Sequence, residues 1–127
     1  MSASTAEVIG IFPTPVMRVP AAIDAPLVAA LRAHFEDRAD VSNNASDQLS
    51  HTRLLQPSDS ELLVRAAAAI TPHLGGFGAQ LFGEALGWSL KEMWVNLLDT
   101  GGKQAMHTHA NSFISGVVYL TPTHPES

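Results

Sequence analysis

The sequence has no cysteine, which excludes disulfide bonds and thiolate metal sites. Any metal must therefore be held by histidine, carboxylate or water, a donor set that suits Fe(II), Mn(II) or Zn(II). Basic residues are also few, since seven Lys and Arg stand against twelve Asp and Glu, for a formal net charge of −5. Without a Lys/Arg cluster, counterion release cannot drive nucleic-acid binding, and we expect no nucleic-acid partner.

Long apolar runs are missing as well. No run approaches the ~18 residues of a membrane span, and the N-terminus lacks the basic and apolar regions of a signal peptide. We therefore expect a cytoplasmic protein with no membrane partner. The 127 residues are 46% hydrophobic, which is enough for a core, and we expect a single domain over residues 1–127.

The first third of the chain predicts one strand, one helix and one loop. The β-rich run from Val8 to Phe12 is closed by Pro13 and predicts an edge strand or an extended lead-in, because proline cannot donate to an interior ladder. Asp24 is an N-cap ahead of apolar positions at helical spacing, which predicts a helix from Ala25 to Arg38. The polar stretch from Asp40 to Gln56 has no clear period and predicts a long loop of the kind that is often functional.

The middle of the chain predicts further helix. Ser58 or Asp59 is the expected N-cap of a second helix with a regular apolar face. Pro72 and the Gly75-Gly76 pair predict an interruption, followed by a third helix or a kinked continuation from Phe77 to Leu86.

Beyond Gly87 the pattern changes to β. Trp88 to Leu98 predicts a strand, Asp99 to Gly102 a hairpin turn, Lys103 to His109 the returning strand, and Phe113 to Leu120 the next. Helices followed by a β meander predict an α+β fold built on a β-sheet core.

His107 and His109 are the residues most suggestive of chemistry. Residues two apart in a strand point to the same side, so the two imidazoles would project together, as the first two ligands of a metal require. The alternative is a pair of polar residues on a solvated strand. The glycine turn before the pair and the apolar strand after it favour the metal site. The other four histidines are expected at the surface or in a satisfied core: His34, His51, His73 and His124.

The stretch WVNLLDTGGKQAMHTHANSFISGVVYL, from Trp94 to Leu120, resembles the Fe(II)/2-oxoglutarate dioxygenases of a bacterial and phage branch. In that branch a W-x-N strand leads through a glycine turn to H-x-H and then S-G-V-x-Y. IFPTPV at Ile11 to Val16 is similar to its N-terminal segment. The resemblance implies N-terminal helices packed on a double-stranded β-helix (a jelly-roll, cupin-like core). It also implies Fe(II), 2-oxoglutarate and O₂, used to hydroxylate an unactivated C–H bond of a small-molecule substrate.

The resemblance also implies roles for single residues. His107 matches the first iron ligand. His109 stands where the wider superfamily has a carboxylate, so it either ligates through nitrogen, as in an all-histidine cupin site, or leaves that position to water. Asn96 and Tyr119 match residues that contact 2-oxoglutarate. Their alternatives are an amide satisfying a strand edge and a core aromatic with its hydroxyl at the rim. Trp94 is expected to serve packing.

Later strands of such a fold would carry a third ligand, a histidine, and a basic residue for the 2-oxoglutarate carboxylate. The chain ends eight residues after Tyr119, and no Lys or Arg follows Lys103. His124 lies between prolines and is poorly placed to ligate. We therefore expect an incomplete core, from a fragment or truncated product. The alternative is a homodimer that completes its sheet and its ligand set.

Two other functions stay open from the sequence. One is a cupin-like metal protein that uses His107 and His109 without 2-oxoglutarate. The other is a non-catalytic interaction domain that binds through an exposed sheet edge.

Overall fold

The computed structural model describes residues 6–38, 40–42 and 47–122. These residues form two α-helices, a three-stranded antiparallel sheet and one 3-10 turn, which confirms the α+β class. In chain order the elements are α1 (Ala25–Phe35), β1 (Val41–Ser42), β2 (Asp47–His51), the 3-10 turn (Pro57–Asp59), α2 (Glu61–Phe82) and β3 (Asn96–Lys103). The jelly-roll core stays a prediction, because a sheet of this size is only part of such a fold.

Helix α1 begins where the sequence predicts. The Asp24 carboxylate accepts a hydrogen bond of 2.9 Å from the Leu27 amide, which satisfies one of the free N–H groups of the first turn. The helix ends at Phe35, three residues before the predicted end at Arg38. Phe35 is the last buried residue of its apolar face. The exposed residues that follow it gain no packing from a further turn.

Helix α2 is capped at both ends. Ser60, one residue after the predicted caps, accepts a hydrogen bond of 3.2 Å from the Leu63 amide. The helix ends at Gly83, whose φ of 73° is the left-handed conformation that glycine adopts without strain. Within the described residues, no helix combines the length and apolar character needed to cross a membrane.

The predicted interruption of α2 at Pro72 is wrong, and of the two alternatives beyond it the helix continues: it runs through Pro72 and the glycine pair as 22 continuous residues. Pro72 is exposed, so the carbonyl that loses its partner can be hydrated. Farther along, the Trp88 ring lies directly on Gly78, one of the buried residues of α2. Tertiary packing of this kind stabilises a helix more than local propensity does.

The sheet has the order β1-β2-β3, with β2 in the middle. The prediction of a loop over Asp40 to Gln56 is wrong, since β1 and β2 lie in that stretch. Leu49, the one buried hydrophobic residue of these two strands, pairs with Leu98 of β3, a contact between segments distant in sequence. The edge strand predicted from Val8 to Phe12 is also wrong: these residues are exposed and in no strand, so their backbone has no ladder to join.

The predicted hairpin at Asp99 to Gly102 is replaced by an irregularity within β3. Leu49 pairs with Leu98, and Asp47 pairs with Lys103. Two steps along β2 therefore lie opposite five steps along β3. The extra residues form a bulge, in which Gly101 has a φ of 78°. Because β3 continues along β2 to Lys103, the chain does not turn back. The strands predicted at Lys103 to His109 and Phe113 to Leu120 are therefore not formed.

The core lies between the two helices and the segment that leads into β3. Thr52 is only 2% exposed and holds this segment in place through two hydrogen bonds to Val95. Its amide donates to the Val95 carbonyl at 2.9 Å, and its hydroxyl accepts from the Val95 amide at 3.1 Å. Met93 and Val95 pack against the helices. These contacts fix the position of Trp94 and Asn96. The buried residues of the main cluster are Ile23, Leu27, Leu31, Phe35, Leu63 and Ala66.

Candidate metal site

His107 and His109 lie in the exposed segment that follows β3. The predicted strand is not there, yet the two side chains meet: their Nε2 atoms are 3.0 Å apart, and the ring centroids 4.8 Å apart at an interplanar angle of 81°. The pairing expected from the H-x-H spacing is therefore present, although no ladder supports it.

The separation of the two nitrogens suits a metal ion. With metal–nitrogen bonds of about 2.0–2.1 Å, two ligands at 90° have nitrogens about 2.9 Å apart, and two tetrahedral ligands have them about 3.3–3.4 Å apart. The observed 3.0 Å lies close to the first value. The distance between the nitrogens therefore suits two neighbouring positions of a six-coordinate divalent metal, and both rings would turn their Nε2 lone pairs from each other towards a common point to hold it.

The backbone orients His107. Its Nδ1 lies 2.9 Å from the Ala105 carbonyl oxygen, and a carbonyl only accepts, so Nδ1 carries the hydrogen. The lone pair of the neutral ring is then on Nε2. His109 donates its Nε2 hydrogen to that lone pair, and the Gln104 amide lies 3.4 Å from the same atom. A carbonyl that fixes the second nitrogen of a ligand histidine is a common support of metal sites.

Trp94 connects the histidine pair to Asn96. The Trp94 ring lies beside His109, with centroids 6.1 Å apart, and its Nε1 donates to the Asn96 Oδ1 at 3.1 Å. The two side chains lie on one side of the chain, as residues two apart in an extended segment do. Trp94 does more than the packing expected of it, because its ring borders His109. The W-x-N spacing is the signal that could have indicated the contact between Trp94 and Asn96, because the two residues are two apart in an extended chain.

Tyr119 lies elsewhere. It lines a cavity of about 540 Å³ along α1, together with residues such as Val28, Arg32 and Leu120. Neither histidine nor Asn96 lines that cavity. The structure thus brings together His107, His109 and Asn96, the last through Trp94, and it leaves Tyr119 apart from them.

The far end of the histidine segment is also held in place. The Ser112 amide donates to the His109 carbonyl at 3.2 Å, and the Lys91 ammonium donates to the Asn111 carbonyl at 3.2 Å. Both contacts involve backbone carbonyls, as the Ala105 contact does. Side-chain motifs carry no signal for such contacts, so the sequence does not predict them.

A third ligand is not found within the described part of the chain, where no group of three or more His, Cys, Asp or Glu side chains could hold a metal. His124, expected to be poorly placed, lies outside the described residues. Residues 104–112 are exposed and carry no charged side chain, and Met106 among them is fully exposed at 102%. The pair therefore fits a metal as two of its ligands and leaves the remaining positions open to solvent.

Comparison with known proteins gives one match. Residues 92–127 match the family described as "Putative 2OG-Fe(II) oxygenase", which is 36 of the 127 residues and includes both histidines and Asn96. No curated protein and no solved structure matches the chain. The match supports the dioxygenase class over this segment.

Proposed function

We propose that this chain contributes two iron ligands, His107 and His109, to a Fe(II)/2-oxoglutarate-dependent dioxygenase that acts on a small molecule. The observation that carries the proposal is the 3.0 Å separation of the two Nε2 atoms within the segment that matches the oxygenase family. His109, where the wider superfamily has a carboxylate, then ligates through nitrogen. Imidazole is a good ligand for iron, so His109 can hold the metal in place of the carboxylate.

In this function, the residues of the chain bind and orient the metal and 2-oxoglutarate. Fe(II) with 2-oxoglutarate and O₂ supplies oxidising chemistry that can hydroxylate an unactivated C–H bond. The Ala105 carbonyl holds the hydrogen of His107 on Nδ1, so that Nε2 faces the metal. Trp94 borders His109 and occupies the acceptor oxygen of Asn96, so the Asn96 amide hydrogens remain to donate to a carboxylate of 2-oxoglutarate.

Contact between Tyr119 and the same 2-oxoglutarate is a separate part of the proposal, because Tyr119 lines the cavity along α1 and the histidine pair does not. A Tyr119→Phe variant tests this part of the proposal. If the hydroxyl binds 2-oxoglutarate, the variant binds 2-oxoglutarate more weakly than the unchanged chain does. An equal affinity would mean that Tyr119 belongs to α1 and not to the site.

The experiment is an anaerobic titration of the chain with Fe(II) and then 2-oxoglutarate, followed by absorption. The dioxygenase function predicts a weak metal-to-ligand charge-transfer band that is lost in His107→Ala and kept in His73→Ala. His73 lies on α2, away from the pair in sequence, and is the matched control. No band in the unchanged chain, with Fe(II) nevertheless bound, would overturn this function.

That outcome would favour a second function, a cupin-like metal site without 2-oxoglutarate. The position of Tyr119 favours it, since one of the two residues expected to bind 2-oxoglutarate lines a different cavity. Metal binding that requires His107 and is indifferent to 2-oxoglutarate would support it. The absence of any metal binding would leave the interaction domain.

A further inference from the structure

The His107–His109 pair is an incomplete site on an open surface. It supplies two nitrogens at metal-binding distance, and the described part of the chain provides no third ligand near them. Six-coordinate and four-coordinate metals both need more protein ligands than this to be held tightly. A second molecule is one source of those ligands.

We propose that one divalent metal ion joins two copies of this chain through their His107–His109 pairs. Each pair spans 3.0 Å and provides two neighbouring nitrogens, so two pairs provide four imidazoles around one ion. The inference rests on the metal binding by the pair that is proposed above. Four imidazoles and a bidentate 2-oxoglutarate would fill six positions and leave none for O₂, so the bridged ion would join the chains, and the dioxygenase reaction would belong to the unbridged chain.

The surface around the pair permits the approach of a second copy. Residues 104–112 are all exposed, so no part of the described fold stands between the two imidazole pairs. Each chain has a formal charge of −5, which would oppose association, but none of residues 104–112 carries a charged side chain. The Lys91 ammonium at the Asn111 carbonyl is a positive charge beside the segment, and salt screens the repulsion between the exposed charges of the two chains.

Apolar side chains beside the pair add to the contact. Met106 is 102% exposed, immediately before His107, and Phe113 is 85% exposed just beyond the segment. The contact area around one ion is small. We therefore expect the metal to be required for association, with no dimer in its absence.

The test is the mass of the full chain in solution during titration with Ni(II), measured by light scattering after size-exclusion chromatography. We expect a monomer without metal, a dimer that is most abundant at one Ni(II) per two chains, and a return to monomer when Ni(II) is in excess. The return follows because each pair then binds its own ion. Chelation with EDTA should also restore the monomer.

Variants assign the effect to this pair. His107→Ala and His109→Ala should each remain monomeric at every ratio, and His73→Ala should dimerise like the unchanged chain. Both altered residues are exposed, and circular dichroism checks that the variants fold. Dimerisation that persists in His107→Ala, or that does not reverse with excess Ni(II), would overturn the proposal.

The two proposals fail separately. Binding of one Ni(II) per chain with no change of mass at any ratio would overturn the metal-bridged dimer and leave the dioxygenase function standing. A Ni(II)-bridged dimer without the charge-transfer band of Fe(II) and 2-oxoglutarate would do the reverse. No metal binding would overturn both.

Discussion

The Nε2 atoms of His107 and His109 lie 3.0 Å apart, within hydrogen-bonding distance. His107 Nδ1 donates to the Ala105 carbonyl, so in this arrangement the Nε2 of the neutral His107 ring accepts and the Nε2 of His109 donates. To hold a metal, His109 would carry its hydrogen on Nδ1, so that the Nε2 lone pairs of both rings would be free to ligate. Both rings remain neutral, as metal ligands must be.

Removal of either imidazole should weaken metal binding. Because the two nitrogens bind one ion together, His107→Ala and His109→Ala should each lower the affinity for Ni(II) by at least about tenfold, or about 1.4 kcal/mol. Isothermal titration calorimetry measures the change, with His73→Ala as the control at unchanged affinity. Equal affinity in all three variants would show that the ion binds elsewhere.

A carboxylate at position 109 should change the choice of metal. His109→Asp restores the ligand type that the resembled dioxygenases have, and carboxylates suit Mn(II) while imidazoles suit Ni(II) and Zn(II). We expect the ratio of the Ni(II) to the Mn(II) affinity to fall by about tenfold or more, a change of about 1.4 kcal/mol. Competition titrations measure that ratio. A ratio that does not move would mean that residue 109 is not a ligand.

Local signals predicted the parts of the fold that depend on neighbouring residues. The start of α1 is an example, since the Asp24 cap and the apolar spacing act within a few residues. The meeting of His107 and His109 is another, because a separation of two residues keeps the imidazoles within reach even without a strand.

Contacts between segments distant in sequence determine the elements that local signals predicted wrongly. The pairing of Leu49 with Leu98 made strands of a stretch that has no β pattern, and it carried β3 past the glycines that predicted a hairpin. The Trp88 ring on Gly78 accompanies a helix that Pro72 alone would have ended. Neither contact has a signal in a short window of sequence.

The contact between Gly78 and the Trp88 ring should contribute to the free energy of unfolding. A Cβ at position 78 would overlap the Trp88 ring, so Gly78→Ala should destabilise the fold by about 1–3 kcal/mol despite its better helix propensity. Gly75→Ala is the matched control: a Cβ there meets nothing, and the gain in helix propensity should stabilise by about 0.5–1 kcal/mol. Urea unfolding compares the two. Equal effects would contradict the packing of Trp88 on α2.

The buried hydroxyl of Thr52 should stabilise the segment that leads to the metal site, because it accepts a hydrogen bond from the Val95 amide. Thr52→Val leaves the Val95 amide without its acceptor and should cost about 1–3 kcal/mol in the free energy of unfolding. The same substitution at the exposed Thr71, whose hydroxyl donates to the Ala67 carbonyl, should stay within about 0.5 kcal/mol of the unchanged chain. If Thr71→Val is as costly as Thr52→Val, the Thr52–Val95 contact does not hold this segment.

The nitrogen resonances of the six histidines during titration with Zn(II) test the metal site most directly, because they report each ring separately. Zn(II) serves as a diamagnetic substitute for Fe(II). The proposed site predicts that the Nε2 signals of His107 and His109 shift together and saturate together, while the other histidines stay unchanged. Signals of His107 and His109 that do not move while Zn(II) binds would contradict it.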